Sequence, residues 1–495
     1  MIYKIFKTFF FLMFSLFSSL AAEDGLPSSL KYLQKTIMQI GNFKFGFISQ
    51  KDSGEKDLLD YYSYFAEYKS KHFLRQIILG NYRLAFGQGI LFAPKLGMSK
   101  SAEAVTVPIK KYTEIRSYTS SYENWFLKGS VAKFSVANFY FIPFFSKIGL
   151  TANLSENGNI TSFDETGIHF EDEKKNNVEE KIYGCEISKM FKTGKIGAVV
   201  SRSQFNRQFE NRSISHDYFC GSTFYLFNYS AFAFFGENAF ADNKFAAVNG
   251  FKWGKDKLRQ LLLFRFYEKN FPTWHGNPFS SQSSFDNEIG LYFGTSFLPS
   301  DKMKLNIYFD LWKFPQTRYF EKMPTVGAEQ FIQWELKSKK NSWRFTFQNK
   351  NREKYKSFEG DTKIRDLNRT LFRCDWWQFL SFAVLKTRME LVAEYLPEND
   401  FYQRGILAYE QFKIKKSKFE IIARTAVYHS QILLYMYENN VDGIMQNSIF
   451  SGDGIYSFLL LKYNLVRSVE IQFKIADNWF EKEKMKLYFQ VVSKF

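Results

Sequence analysis

Apolar and polar residues alternate along much of this chain with a period of two. The alternation is clearest in residues 303–312, 343–348, 418–428, 469–475 and 484–495. Successive side chains of a β-strand point to opposite faces of its sheet, so the pattern predicts strands with one apolar and one polar face. Beyond the N-terminus no apolar run approaches the roughly 20 residues of a membrane-spanning helix. The chain is therefore predicted to be all-β, as a soluble sandwich or as a transmembrane barrel in which only alternate residues meet lipid.

The last predicted strand, residues 484–495, ends on an aromatic residue. Phe489 and Phe495 lie on its apolar face, and Tyr488 lies on its polar face. A terminal amphipathic strand of this kind resembles the assembly signal of bacterial outer-membrane β-barrels. Phe495, Phe489 and Tyr488 are therefore predicted to be this signal, with the barrel assembly machinery as partner. The strand alone does not exclude a soluble sandwich.

Short polar turns and longer links alternate between the predicted strands, which favours a barrel. Outer-membrane barrels have tight periplasmic turns and long outer loops. Successive short turns are spaced by about 40 residues or a multiple, which suits two strands of ~9–11 residues plus a loop. The prediction is a transmembrane antiparallel outer-membrane β-barrel of about 20 strands (range roughly 16 to 24, even-numbered). Its last strand is expected to run from outside to the periplasm and to close against the first strand, within residues 37–49.

The N-terminus has the order of features of a secretory signal, which predicts an exported protein. Residues 1–22 contain a basic start, an apolar core and two alanines before the first acidic residues. The predicted organisation is a signal peptide at 1–22, a short periplasmic lead-in at 23–35 and a single barrel at 36–495. Three widely separated cysteines do not form a disulfide framework. Outer-membrane lipid is the expected surrounding, and the outer membrane the expected location.

Charge adds an expectation about the lumen. The formal net charge is +17, and the polar faces of the predicted strands carry both signs of charge. Charged groups tolerate a wet lumen because water or a partner can solvate them. A mixed-charge, net basic lumen is expected, with these lumen-facing candidates: Arg265, Asp310, Arg344, Arg424, Glu420, Lys474 and Glu470.

Aromatic residues at strand ends suggest an interfacial girdle facing the lipid head groups. Aromatics make up 20% of the chain. The candidates for the girdle are Tyr267, Phe271, Trp274, Trp312, Phe314, Trp376, Trp377, Trp479 and Phe480.

The sequence contains none of the common catalytic, phosphate-binding or metal-binding motifs. His72, His169, His216, His275 and His429 are isolated from one another. Outer-membrane enzymes exist, and the one cluster that suits a rim enzyme is His275 with Ser280, Ser281, Ser283 and Asp286. Neighbours in sequence do not establish a triad, so no enzyme activity, cofactor or metal is expected. The Gly87-Gln88-Gly89 run is interpreted as a bulge or a close backbone approach within a strand.

Several short segments resemble one family in the same order along the chain. They are residues 79–92 (LGNYRLAFGQGILF), 235–239 (FGENA), 263–267 (LFRFY), 287–294 (NEIGLYFG) and 308–315 (YFDLWKFP). This series resembles the barrel-like region of large exported proteins of the Bacteroidota, described as helix-hairpin-helix (ComEA-related) domain proteins. The resemblance implies a barrel, and the family name implies contact with DNA. No helix-hairpin-helix module is visible here, which puts the DNA role in doubt for this chain.

Two main functions follow from these expectations. The first is a channel or transport-type conduit for a small solute or a polymer. The second is a non-conducting surface, structural or binding barrel, in which nucleic acid is one partner considered. The state of the lumen, open or filled, distinguishes the two.

Overall fold

A computed structural model describes most of the chain after the predicted signal. The described residues are 32–52, 54–55, 60–95, 100–111, 114–120, 122–123, 125–164, 175–210, 213–272, 274–282, 285–318, 321, 323–358, 360–442, 444–466, 469–479 and 485–494. The predicted signal peptide, most of the lead-in, His169, Ser283, Phe480 and Phe495 lie outside them. Within these ranges no helix is long and apolar enough to cross a membrane.

The described chain is almost entirely β-strand, apart from loops and a single 3-10 turn at Pro397–Asn399. Its strands are β1 (Tyr32–Ile40), β2 (Phe43–Lys51), β3 (Tyr61–Lys69), β4 (Leu74–Leu84), β5 (Ile115–Ser117), β6 (Leu127–Val136), β7 (Phe139–Leu150), β8 (Ala152–Leu154), β9 (Ile160–Phe163), β10 (Val178–Phe191), β11 (Gly194–Phe205), β12 (Asp217–Tyr229), β13 (Phe232–Ala241), β14 (Lys244–Lys255), β15 (Leu258–Tyr267), β16 (Glu288–Ser300), β17 (Met303–Phe314), β18 (Thr325–Lys337), β19 (Asn341–Phe358), β20 (Asp361–Phe379), β21 (Val384–Leu396), β22 (Phe401–Lys415), β23 (Phe419–Glu438), β24 (Gln446–Val466), β25 (Val469–Asn478) and β26 (Lys486–Lys494).

The strands form one antiparallel barrel. The main sheet has 24 strands. Because β5 only lies beside the end of β4, 23 described strands make up the wall. Successive wall strands are antiparallel, and β8 and β9 form a separate small hairpin. The all-β barrel is confirmed, and its strand count is somewhat above the predicted 20.

The barrel closes between its last and first strands, and this closure is parallel. Thr36 pairs with Ser493, and Ile37 pairs with Lys494. The predicted first strand, within residues 37–49, is not one strand. These residues belong to β1 and β2, which are joined by a turn at Gly41 and Asn42. The odd number of wall strands makes the first and last strands parallel.

Short and long connections lie at opposite ends of the barrel. We call these the short-turn end and the long-loop end. Most connections at the short-turn end are tight, as at Ala137–Asn138, where both residues have positive φ; such two-residue turns match the twist of a hairpin. The last strand runs from the long-loop end to the short-turn end. At the long-loop end, β13 and β14 are joined by an equally short turn at Asp242–Asn243.

The two faces of the wall differ in chemistry, as the alternation predicted. On β17, Phe309 is 44% exposed and Leu311 is 54% exposed on the outer face, whereas Tyr308 and Asp310 are buried on the inner face. Most wall strands repeat this arrangement, which produces an outer apolar belt. The belt includes Phe141, Ile187, Val200, Phe219, Phe234, Leu262, Phe264, Leu291, Phe309, Leu311, Phe345, Phe372, Met389, Leu391, Ile406, Val427, Phe473, Leu487, Phe489 and Val491.

The predicted aromatic girdle is wrong for four of its residues. Tyr267, Phe271, Trp312 and Phe314 are buried inside the barrel and do not face outward. Tyr267 donates to the carbonyl of Phe279, Phe271 packs on Phe285, and Lys100 of the β4–β6 connection lies over the ring of Trp312. Trp479 is 69% exposed.

The parallel closure can be tested by cross-linking. With the three native cysteines replaced by serine, we expect the pair Thr36→Cys and Ser493→Cys to form a disulfide under mild oxidation, because these residues are register partners. Mass spectrometry of the digested protein detects the link. The control pair, Thr36→Cys with Val491→Cys, is displaced by two residues and should link poorly. Preferential linking of the control would contradict the register.

Candidate functional site: the barrel lumen

The connection between β4 and β6 comprises residues 85–126, and its described residues fold into the barrel. We call it the lumen loop. Ile90, Phe92, Ala104 and Val105 are all buried within it, and they join the apolar core formed by the inner faces of β3 to β18. Full burial of an apolar side chain contributes roughly 1.5–3 kcal/mol. The lumen loop is thus a packed part of the fold. It begins directly after β4, which ends at Leu84.

The turn at Gly87-Gln88-Gly89 wraps around a buried carboxylate of the wall. The backbone N–H groups of Gln88 and Ile90 donate to Oε2 of Glu237 on β13, at 2.7 and 3.0 Å. Gly87 has φ of +53°, and a Cβ placed there would lie 2.6 Å from the same oxygen. Glycine is therefore needed both for the backbone conformation and for the close approach. The predicted close approach is present, but in a loop and not in a strand.

A buried ionic network joins the middle of the lumen loop to the wall. Arg265 on β15 pairs with Glu288 and donates to Asp310 at 2.7 and 3.2 Å, and all three side chains are fully buried. Lys100 of the lumen loop contacts Asp310 at 2.5 Å and Glu329 at 3.0 Å. Buried charges of this kind need partners, and removing one partner costs roughly 3–5 kcal/mol.

Two tyrosines extend this network. Tyr308 donates to Glu329 at 2.6 Å, and Gln348 donates to the same carboxylate oxygen at 2.7 Å. Tyr292 donates to the backbone carbonyl of Ala104 at 2.7 Å. The wall therefore presents polar groups to the lumen loop on four neighbouring strands, β16 to β19.

The lumen loop is also held near both ends of the barrel. Near the short-turn end, Glu103 pairs with Lys304, and Glu114 pairs with Lys195 at 3.0 Å. Toward the long-loop end, Ala93 donates its backbone N–H to the carbonyl of His275 at 2.8 Å. The loop thus contacts the wall or its connections along the height of the barrel.

The cluster considered for a rim enzyme is engaged in structural contacts. The imidazole of His275 lies 3.0 Å from the buried carboxylate of Glu180 and stacks on Phe92 of the lumen loop. Ser281 donates to Glu288 at 2.7 Å, and Ser280 donates to the carbonyl of Gln282. Each of these groups therefore has a partner other than a catalytic one. Asp286 precedes β16 in the same connection.

A second segment fills the other side of the lumen. The hairpin at residues 431–450, which we call the inward hairpin, folds back at a bulge between Ser430 and Leu434. Arg424 on β23 donates to the carbonyl of Tyr437 in the same strand at 2.6 Å, which only a folded-back strand allows. Lys474 on β25 pairs with Glu438 of the inward hairpin, and both are fully buried.

Between these two segments the inner wall carries ion pairs across neighbouring strands, which we call the charged ladder. Arg344 bonds Glu335 at 2.7 Å, Arg373 bonds Glu390 at 2.7 Å, and Arg388 bonds Asp375 at 2.7 Å. These cations are less buried than Arg265, and 35% of the Arg344 side chain is exposed. Ladder residues therefore line a part of the lumen that water reaches.

Glu420 and Glu470 lie toward the short-turn end, at the starts of β23 and β25. Glu420 pairs with Lys413 at 2.9 Å, and Glu470 accepts a hydrogen bond from Gln472. Tyr488 points inward and donates to Gln446 of the inward hairpin at 3.2 Å, whereas Phe489 is 71% exposed on the outer face. Phe495 lies outside the described residues.

The segments that carry the family resemblance meet at the lumen loop. Segment 79–92 supplies the turn around Glu237, which belongs to segment 235–239. The other three segments supply Arg265, Glu288 and Asp310 of the ionic network. Lys100 and Glu329, which complete the network, lie outside all five segments.

Comparisons with known proteins give structural similarity only. The fold is similar to that of the siderophore receptor PirA from Acinetobacter baumannii, at 7% identity and a TM-score of 0.42, covering 91% of this chain and 76% of that chain. It is also similar to the copper transporter OprC, at 8% identity and a TM-score of 0.44, covering 90% of this chain and 76% of that chain. A third similar structure is OccK8 (OprE) from Pseudomonas aeruginosa, at 7% identity and a TM-score of 0.34, covering 66% and 94%.

These TM-scores are below 0.5, so no inference about this chain rests on them. No family model and no curated protein matches the sequence. The resemblance to helix-hairpin-helix (ComEA-related) proteins therefore stays a prediction. Within the described residues, no group of three or more His, Cys, Asp or Glu side chains could hold a metal ion.

The turn around Glu237 gives a first test. Gly87→Ala and Gly41→Ala both place a Cβ at positive φ, which costs about 1–2 kcal/mol. Only Gly87→Ala meets neighbours, since the space around Gly41 is open. We expect Gly87→Ala to lose about 1–3 kcal/mol more stability than Gly41→Ala, because of this overpacking. Denaturant unfolding in detergent measures both; equal losses would show that the turn does not pack on Glu237.

An acidic cluster near the long-loop end gives a second test. Burial, reinforced by Asp60, Glu55 and Asp52, raises the pKa of Glu123 to about 8, although Lys175 opposes the shift. The unfolded chain releases this proton near pH 4.5. The folded state holds the extra proton between these values, so its stabilising contribution is complete below about pH 4.5 and is lost as the pH rises through 8.

The expected result concerns the variant Glu123→Gln, which mimics the protonated acid. The melting temperatures of wild type and variant should be similar at pH 4, and the wild type should melt lower than the variant at pH 9. Differential scanning fluorimetry at both pH values measures this difference. A wild type that becomes more stable than the variant at pH 9 would contradict the assignment.

Proposed function

We propose that this protein is an outer-membrane β-barrel that acts as a gated transport conduit, closed at rest by its own lumen loop. The observation that supports this most strongly is the set of contacts that hold residues 85–126 inside the barrel, from Glu103 with Lys304 to Ala93 with His275. A loop that is packed against the wall at this many points closes the path through its part of the lumen, so a conduit of this kind needs a way to release it.

The membrane part of the proposal rests on the outer apolar belt. A soluble protein rarely exposes a contiguous apolar patch larger than a few hundred Å². Here large apolar residues such as Phe219, Phe372 and Leu391 are about half exposed on successive strands around the barrel. Lipid removes the cost of this exposure, while the closed wall pairs its backbone groups internally, as spanning structures must.

The gating part rests on the chemistry of the lumen contacts. Polar and ionic contacts can be exchanged for contacts with water when a segment moves, so they suit a releasable plug better than purely apolar packing does. The charged ladder, with Arg344, Arg373 and Arg388, offers a polar surface beside the plug. We propose that it forms the wall of the opened path, within a lumen that is mixed-charge and net basic as a whole.

A second candidate is a binding barrel that never conducts. The two filled regions of the lumen favour it, since the inward hairpin would also have to move before a wide path opens. Linkage to DNA at the envelope belongs to this candidate and rests on the family resemblance alone. No catalytic role is proposed for either candidate.

Electrical recording separates the two candidates. In planar bilayers we expect wild-type protein to be mostly silent. A variant in which residues 86–114 are replaced by a short glycine-serine linker should give discrete conductance steps, because the lumen beside β10 to β18 loses its filling. Lys100→Gln, which breaks contacts with Asp310 and Glu329, should give brief openings of similar size.

The control keeps the lumen loop and shortens the β19–β20 hairpin by removing residues 357–362. It should remain as silent as wild type. Silence of the linker variant, with a folded barrel verified by circular dichroism, would favour the binding barrel. Large steady conductance from wild type would contradict a closed resting state.

A further inference from the structure

A cavity of about 470 Å³ lies between the lumen loop and the wall near the short-turn end. Its walls come from two parts of the lumen loop, residues 85–88 and residues 110, 111 and 114, and from the short-turn ends of β10, β11 and β12. This volume is in the usual range of small-molecule sites, roughly 300–1,000 Å³. The wall residues that line it include Lys195 and Phe224, which face the lumen. The cavity is therefore separated from the outer apolar belt by the wall.

Two parts of the lumen loop, at Gln88 and at Lys110, hold each other beside the cavity. The backbone N–H of Lys110 donates to Oε1 of Gln88 at 3.0 Å. Gln88 belongs to the turn that wraps around Glu237, so the cavity and that turn share one support. The cavity is thus built from fixed parts of the loop.

The cavity is lined by more cations than its own carboxylate can neutralise. Lys110, Lys111, Lys192 and Lys195 line it, and Glu114 is the acidic residue among its lining residues. Glu114 is already held by Lys195 at 3.0 Å and by Lys133 at 3.1 Å. Among the described residues, no carboxylate pairs with the ammonium groups of Lys110, Lys111 or Lys192.

Glu114 and Lys110, which both line the cavity, differ in how their surroundings shift the pKa. Burial opposes the charged form of Glu114, but Lys195 and Lys133 outweigh it and lower the pKa of Glu114 to about 2. Burial lowers the pKa of Lys110, with no acidic group to offset it. Lys111 and Arg259 also repel Lys252 on the neighbouring wall. A bound anion would relieve both the desolvation of Lys110 and the repulsion among these cations.

Aromatic and apolar groups complete the lining. Phe86 of the lumen loop, Phe191 at the β10–β11 turn and Phe224 of β12 lie around the same space. Inorganic anions gain little from such a lining, whereas an organic anion can place its apolar part against it.

We propose that this cavity binds a small organic anion, with its charged group on Lys110 and Lys192 and its apolar part against Phe86 and Phe224. As a statement about what the conduit carries, this rests on the proposed function, and it names the substrate class. As a statement about binding, it stands independently, because occupancy can be measured without transport.

The test is calorimetric titration of the full-length protein in detergent, with phenyl phosphate as the probe. We expect saturable binding at one site. The double variant Lys110→Gln/Lys192→Gln should bind at least about tenfold more weakly, since charge-assisted contacts are lost. The matched control, Lys255→Gln/Lys257→Gln, removes two exposed lysines at the β14–β15 turn, outside the cavity. It should bind like wild type and has the same net charge as the double variant.

Two further measurements test the charged and the apolar part of the site separately. Inorganic phosphate should bind more weakly than phenyl phosphate; equal binding would remove the apolar half of the proposal. Phe224→Ala weakens phenyl phosphate but not inorganic phosphate if the ring contacts the probe, and equal loss for both probes would overturn that contact. No saturable binding to wild type, or equal binding by both double variants, would overturn the site.

These results are separable from the conductance result. Binding that depends on Lys110 and Lys192, together with a silent linker variant, would support the anion site and reject the conduit. Conductance of the linker variant without any binding by the wild type would support the conduit and reject the site.

Discussion

A wall of 23 strands encloses more space than its own inward side chains can fill, and this constraint shapes the rest of the molecule. Small barrels of about eight strands fill their interior with wall residues alone, while much wider barrels hold water or a plug. Here the chain supplies the filling itself, through the lumen loop and the inward hairpin. Both segments belong to connections at the long-loop end, so each enters the lumen from the same side.

Filling a lumen with polypeptide creates a second demand, because the buried backbone and charges need partners. The wall meets this demand at defined points. Glu237 accepts from the turn at Gly87, and Arg265, Asp310 and Glu329 surround Lys100. Charge neutralisation inside the wall therefore depends on the loop being in place. The cavity near Lys110 is where this neutralisation is incomplete, which is why an anion fits there.

The two faces of the wall could largely be predicted from the sequence, because alternate residues of a strand point to opposite faces. In residues 303–312 the alternation alone puts Asp310 inward and Phe309 outward, as observed. Trp312 has the same parity as Asp310 and is also inside. Its assignment to the lipid girdle failed because an aromatic residue beside a loop looks the same in sequence whether that loop turns outward or folds into the lumen. The buried ionic network explains why this loop folds into the lumen. No short stretch of the sequence predicts that network.

The strand count and the contents of the lumen could not be predicted from the sequence, for different reasons. The hairpins β19–β20 and β23–β24 continue their pairing well beyond the ~9–11 residues expected of a membrane strand. The turn at Gly41 and Asn42 was missed, so β1 and β2 were taken as one strand. Lys100 pairs with residues more than 200 positions away, which no period can reveal.

The central claim is that residues 85–126 occupy the lumen at rest. Electron cryomicroscopy of the full-length protein in lipid nanodiscs tests it most directly. The account predicts continuous density for the lumen loop inside the barrel, with the Gly87 turn seated on Glu237 and Lys100 between Asp310 and Glu329. A lumen free of protein density at these positions, in a closed barrel of the same strand order, would contradict it.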